Sequence, residues 1–122
     1  MGLDLTVMPI LMPLNTWWLG HNRLSFIRNY DLFRQIPGYD RENAMPVFEA
    51  NPIPPGVAFQ NYSDSGIETI TEDSWGSPLT YVQSNQFYNL IVVRTATHNH
   101  NAAIVQFLAS LKPAVPVVLY WH

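Results

Sequence analysis

Cysteine is absent from the chain, so neither a disulfide framework nor a thiolate metal site can be built from it. Charge is scarce as well: Asp, Glu, Lys and Arg make up 12% of the 122 residues, against roughly 25% in ordinary soluble domains. Six basic and nine acidic residues leave a formal charge of −3. That balance offers no broad basic face to a phosphate backbone, and the acids are too few to mimic a polyanion. Extended nucleic-acid binding is therefore disfavoured. No apolar run reaches the roughly 18 residues needed to span a bilayer. No basic residue precedes the first apolar stretch around Asp4, so membrane spanning and secretion are not expected and a cytoplasmic protein is. Gly2, Gly20, Gly38, Gly56, Gly66 and Gly76 each stand alone, which excludes a P-loop. No serine sits in a nucleophile elbow, and no internal repeat is visible.

Aromatic residues are plentiful: four Trp, six Tyr and six Phe. With so little charge, the surface must be covered by neutral polar groups or be partly buried in a partner, and Trp and Tyr are the residues that anchor interfaces. A homodimer is expected on that ground. The length fits one domain over residues 1–122 with a single core.

The clearest unit is the last 25 residues. In Asn101 to Leu111, Ile104, Phe107, Leu108 and Leu111 recur at spacings of three and four, which places them on one helical stripe. Asn99 or Asn101 suits the free N–H groups of the first turn, and Pro113 stops the helix. The run from Val115 to Trp121 has no polar alternation, as expected of a central strand covered on both faces. Pro116 lacks a ladder donor, so regular pairing is expected only after it.

Upstream, Leu3, Leu5 and Val7 alternate with Asp4 and Thr6, predicting a first strand with one face in solvent that can pair with the closing strand. Residues 23–27 read as a second strand. Asn29 caps a short helix carrying Leu32, Phe33 and Ile36, which ends at Pro37 and Gly38. The Pro-rich stretch at about 39–62 keeps no period and reads as a long loop, and loops of that length are usually functional or mobile. Ile67 to Glu72 and Leu79 to Tyr81 suggest a hairpin across the turn Asp73 to Ser77. Ser84 predicts the cap of a helix with stripe Phe87, Leu90, Ile91 and Arg94, although Leu90 to Val93 also favours a strand. Helices and strands mix without a βαβ repeat. The expected class is α+β, a small mixed sheet with a C-terminal helix–strand unit and short helices packed on it.

Short motifs across most of the chain, Gly2 to Thr6, His21 to Phe26 with Tyr30 to Phe33, Trp75-Gly76 with Pro78 to Thr80, and Val117 to His122, resemble small proteins encoded in bacteriophage and prophage genomes. The resemblance implies a host bacterial cytoplasm. It also implies an accessory protein that blocks a host or defence protein or sequesters a small ligand, without a specific catalytic role to transfer.

Two constellations are candidate sites. Trp17, Trp18, His21, Asn22, Arg23, Arg28 and Tyr30 combine flat aromatic faces with guanidinium groups, which suits stacking on a nucleotide-like ligand or docking on a protein partner. The same Trp residues serve equally as core or dimer-interface packing. His98 and His100 are spaced to share a divalent metal, with His21, His122, Glu72 or Asp73 as a third ligand, and equally suit a polar turn and helix cap. Asp64, Glu68, Glu72 and Asp73 form an acidic group that reads as a solvated hairpin face. The function expected is non-enzymatic binding, with no catalytic residues assigned and no required cofactor. The alternatives are a metal-dependent phosphoesterase or nuclease using His98 and His100, and a minor virion or assembly component.

Overall fold

A computed structural model describes residues 2–11, 16–18, 23–55, 58–90 and 99–122, with backbone alone for 16–18, 58–59 and 61–63. The fold is α+β. A five-stranded antiparallel sheet is built from β1 (Leu5–Pro9), β3 (Leu24–Ser25), β4 (Asn51–Pro52), β7 (Thr80–Gln83) and β8 (Pro116–Trp121), in the order β3-β1-β8-β7-β4. A separate three-stranded sheet joins β2 (Thr16–Trp18), β5 (Ala58–Ser63) and β6 (Gly66–Thr69), with β2 parallel to β5. The helices are α1 (Tyr30–Phe33), a 3₁₀ helix (Ser84–Asn89) and α2 (Asn99–Ser110). No helix among the described residues is long and apolar enough to cross a membrane.

The unbroken apolar run in β8 has the cause expected of it: this strand is the centre of the sheet and both its faces are covered. Val117, Leu119 and Trp121 join Leu5, Val7 and Val82 under α1, α2 and the 3₁₀ helix, through Leu32, Phe33, Phe87, Leu90, Ile104, Val105 and Leu108. Val118 turns the other way into a smaller cluster with Met8, Ile10 and Leu79, edged by Ile53, Ile70, Tyr81 and Tyr120. Pro116 begins the strand rather than preceding it. Its missing N–H costs nothing at the first position, where its carbonyl accepts from Ile10 N at 2.8 Å.

β1 pairs with β8 as expected, but it is buried along its whole length rather than half exposed. Thr6 explains the difference. It is 1% exposed because strands flank it on both sides, and its hydroxyl lies 2.9 Å from both Ser25 Oγ and His122 Nε2. The second strand shortens to β3, where Phe26 N adds one further bond to Leu5 O. α1 carries its predicted cap: Asn29 Oδ1 accepts from Leu32 N at 3.1 Å.

Three expectations need correction. The stretch at about 39–62 is not one loop, since it contains β4 and β5; β4 is an edge strand, where Pro52 is tolerated for want of a partner on its outer side. Ile67 lies in β6 and pairs with β5, so the hairpin around Asp73 is only a turn with a short base, Glu72 opposite Pro78 and Leu79 N bonded to Thr71 O. Ser84 is not a helix cap. Its buried hydroxyl accepts from Val115 N at 3.0 Å while its own N–H bonds Val115 O, and Gln83 and Gln86 form the capping box of the 3₁₀ helix instead. Of the predicted 84–94 helix, residues 91–94 lie outside the described set.

α2 has the predicted extent within two residues but a different rotation. Asn101 is fully buried, its Oδ1 accepting from Ile27 N and its Nδ2 donating to Ile27 O, both at 2.8 Å. That two-point contact pins the helix so that Asn101, Ile104, Val105 and Leu108 face inward. Phe107, placed on the stripe by spacing alone, is left 44% exposed.

Candidate functional site

Three separate segments converge at one end of the sheet. The first is the turn after α1. Gly38 there has φ +96°, a region where a side chain is strained. A Cβ at this position would lie 2.6 Å from Trp121 Nε1, so glycine is needed for the indole to come this close. The second segment is the Asp73–Ser77 turn. Asp73 Oδ1 accepts from Trp75 N at 2.8 Å and Ser77 N at 3.1 Å, while Asp73 N donates to Ser77 O and Gly76 adopts φ +83°. This turn is tied to the sheet by Ser74 N donating to Trp121 O at 3.1 Å and Ser74 Oγ to the Tyr120 hydroxyl at 3.2 Å. The third segment is the end of β8 itself.

Between them lies a cleft of about 270 Å³ lined by Leu3, Gly38, Asp40, Arg41, Asp73, Trp75, Ser77 and Trp121. Its inner wall is rigid: Trp121 is 4% exposed and stacks edge-on against Phe33 at 5.7 Å and obliquely against Tyr39 at 6.2 Å. The Nε1–H of Trp121 is buried and has no hydrogen-bond acceptor among the described residues. A buried donor left unpaired costs free energy, and such groups are rare in folded chains. The rim is charged. Asp40 and Asp73 contribute carboxylates, and Arg41 a guanidinium whose carbon sits 5.9 Å from the centre of the Tyr30 ring. Trp75, 45% exposed, offers an indole to the opening. Such a cleft can hold a small polar molecule on a fixed aromatic wall while charges of both signs orient it.

Of the residues singled out from sequence for aromatic, basic or histidine chemistry, none of those described lines this cleft. Trp17 and Trp18 lie in β2, whose side chains fall outside the described set, as do His21, Asn22 and His98. Arg28 makes a two-point ion pair with Asp4, at 2.7 and 3.1 Å, on the surface. The bonds from Arg28 hold the Asp4 carboxyl below the usual carboxylate range against the opposing effect of burial, and raise the guanidinium in turn. The Tyr30 hydroxyl accepts from Leu3 N at 3.2 Å and its ring meets Phe33 and Tyr39, so it braces the cleft from behind. Arg23 is exposed at the start of the β3 edge. His100 Nε2 lies 2.8 Å from Ser25 O, a contact between α2 and the sheet edge. Among the described residues no group of three or more His, Cys, Asp or Glu side chains is placed to hold a metal ion.

A second polar cluster, Ser25–Thr6–His122, links three strands through hydroxyls and an imidazole. A larger groove of about 430 Å³ runs between the 3₁₀ helix and α2, lined by Phe87, Tyr88, Leu90, Val105, Gln106, Ala109 and Ser110. Leu90, on its wall, is the last residue described before Asn99.

No protein family, curated protein or solved structure matches the chain.

Proposed function

We propose that the chain is a non-enzymatic binding protein, of the accessory kind that the phage resemblance implies, and that it sequesters a small ligand in the Trp121 cleft. The observation that carries this reading is the pairing of a rigid buried indole, its N–H without an acceptor among the described residues, with charged residues of both signs around one opening. The reading replaces the Trp17–Tyr30 cluster as the site while keeping ligand capture as the function. The cleft lies just below the roughly 300–1,000 Å³ of pockets that take drug-sized molecules, which favours a ligand of small-metabolite size.

Two measurements test it together. A native mass spectrum of the protein from its bacterial host is expected to show a retained small molecule, and the subunit number it reads tests the homodimer expected from the aromatic content. A thermal-shift screen against a panel of polar metabolites is expected to raise Tm by several degrees, since ligand at about 100 Kd stabilises by roughly 2.7 kcal/mol. A clean spectrum together with an unresponsive screen overturns the reading.

A further inference from the structure

We infer that the outer face of α2, with the groove beside it, is the contact between two copies of this chain, related by a two-fold axis that runs along the helix. None of its residues lines the Trp121 cleft, so it stands independently of ligand capture. The face is built from Ala103, Gln106, Phe107 and Ser110, all exposed. At about 100° per residue, Ala103 and Ser110 point within roughly 20° of each other, Phe107 lies on one flank, and Gln106 and Ala109 lie on the other. The groove of about 430 Å³ opens on that second flank, between Gln106, Ala109 and Ser110 of α2 and Phe87 and Tyr88 of the 3₁₀ helix. One face therefore carries a knob and a hole side by side, as a self-complementary interface requires. A two-fold parallel to the helix sets each Phe107 against the groove of the other copy, while Ala103 and Ser110 face their own counterparts. A cavity of about 150 Å³ already holds a benzene ring, so the groove has room for the phenyl group. Ser110 Oγ donates to Phe107 O at 2.8 Å, so that hydroxyl is satisfied within the helix when it is covered.

Charge selects a second copy as the occupant. All nine acids lie between Asp4 and Asp73, and neither α2 nor the 3₁₀ helix carries Asp, Glu, Lys or Arg. Two copies, each of net charge −3, oppose acid to acid wherever their acidic parts meet, whereas this face brings no like charges together. A strongly acidic or basic partner finds nothing on it to pair with. The 12 residues of α2 make about 18 Å of helix, and with the 3₁₀ helix alongside the face is roughly 20 Å wide. That is on the order of 400 Å² a copy, half a standard interface, which sets a weak, concentration-dependent dimer.

The test is sedimentation velocity of the intact protein from about 5 to about 500 μM, with monomer expected at the low end, dimer at the high end and a Kd on the order of 100 μM. Phe107→Ser is expected to weaken dimerisation roughly tenfold or more. Ala103→Glu sets two carboxylates face to face across the axis and is expected to abolish it. Both positions are exposed, so the variants keep the fold, which circular dichroism checks. Ile67→Ser, at an exposed apolar residue of β6, is expected to change nothing. The chain has no cysteine, so Ala103→Cys supplies a single thiol; in mild oxidant it is expected to yield a disulfide-linked dimer that Ile67→Cys does not. A monomer throughout the range overturns the inference and leaves the face to a different partner. A dimer indifferent to Phe107→Ser and Ala103→Glu places the contact elsewhere and overturns it as well. A dimer that depends on Phe107 but lacks the Ala103→Cys link overturns the two-fold along the helix.

Discussion

Gly38→Ala adds one methyl group to the turn after α1, and the structure divides its cost into two parts. The backbone part comes from φ +96°, where a residue with a Cβ loses about 1–2 kcal/mol relative to glycine. Part of this is offset by about 0.4–1 kcal/mol from the reduced freedom of the unfolded chain. The packing part comes from Trp121. The new Cβ would lie 2.6 Å from Nε1 and 3.3 Å from Cδ1 of an indole that is 4% exposed and wedged against Phe33 and Tyr39. That side chain cannot swing aside, and overpacking of this kind costs about 1–3 kcal/mol. Gly76→Ala is the matched control, with φ +83° and nothing within 4 Å of its added Cβ. It carries the backbone part alone. The net expectation is a loss of roughly 1 kcal/mol for Gly76→Ala and roughly 2–4 kcal/mol for Gly38→Ala. Urea unfolding followed by circular dichroism reads the difference as a midpoint gap on the order of 1 M at unchanged slope. In a Trp121→Phe background, which removes the indole N–H edge, the Gly38→Ala loss should fall toward that of Gly76→Ala. Equal losses at the two glycines in the parent protein would refute the close approach of Trp121 to Gly38, and with it the inner wall of the cleft.

Asn101→Leu should cost about 2–4 kcal/mol, because both backbone groups of Ile27 lose their partner in a site where Asn101 itself is fully buried; a loss under about 0.5 kcal/mol by chemical denaturation would contradict the pin. Phe107→Ser should stay within about 0.5 kcal/mol while Leu108→Ala loses about 2–5 kcal/mol, and reversal of that order would show α2 rotated to the stripe read from spacing. The Asp4–Arg28 pair makes a small pH-dependent contribution. Asp4 titrates lower in the folded than in the unfolded state, so its stabilisation is present above the unfolded carboxylate value and is lost as pH falls through the folded one. Arg28→Ala should raise the Asp4 titration seen by carboxyl NMR, and because both side chains are substantially exposed the effect on stability should fade in high salt.

What could be read from sequence was what local chemistry decides. The continuous apolar run of β8 announced a strand covered on both faces, and Asn29 followed by Leu32 and Phe33 announced a capped helix. The turn at Asp73 was legible because Asp, Ser and Gly at those positions bond their own backbone. The two-residue strand β4 was not, since it exists only through the neighbour it pairs with, and β3 was legible in place but not in extent. The rotation of α2 was hidden for a related reason. It is set by Asn101 reaching Ile27 across 74 positions of sequence, and apolar spacing carries no trace of that contact. Ser84 misled because a hydroxyl that can cap a helix can as readily bond a neighbouring strand, and Val115 claimed it. The cleft is the extreme case: Leu3, Gly38 to Arg41, Asp73 to Ser77 and Trp121 come from four distant parts of the chain. The signals available were indirect ones, a functional loop expected from position 39 onward and a glycine directly after Pro37. The Trp17–Tyr30 cluster drew attention because its residues are close in sequence, whereas Arg28 is engaged with Asp4 and Tyr30 with Leu3.

The most direct test of the cleft as a binding site is the indole Nε1–H signal of Trp121 in ¹⁵N-resolved NMR, followed while polar metabolites are titrated into the protein. Trp121 forms the inner wall of the cleft and Trp75 stands at its opening, so the account predicts movement of both indole signals on ligand binding and an unmoved Asn101 side-chain amide. Trp121 and Trp75 signals that stay fixed while the protein binds the ligand elsewhere, or that stay fixed throughout, would contradict it.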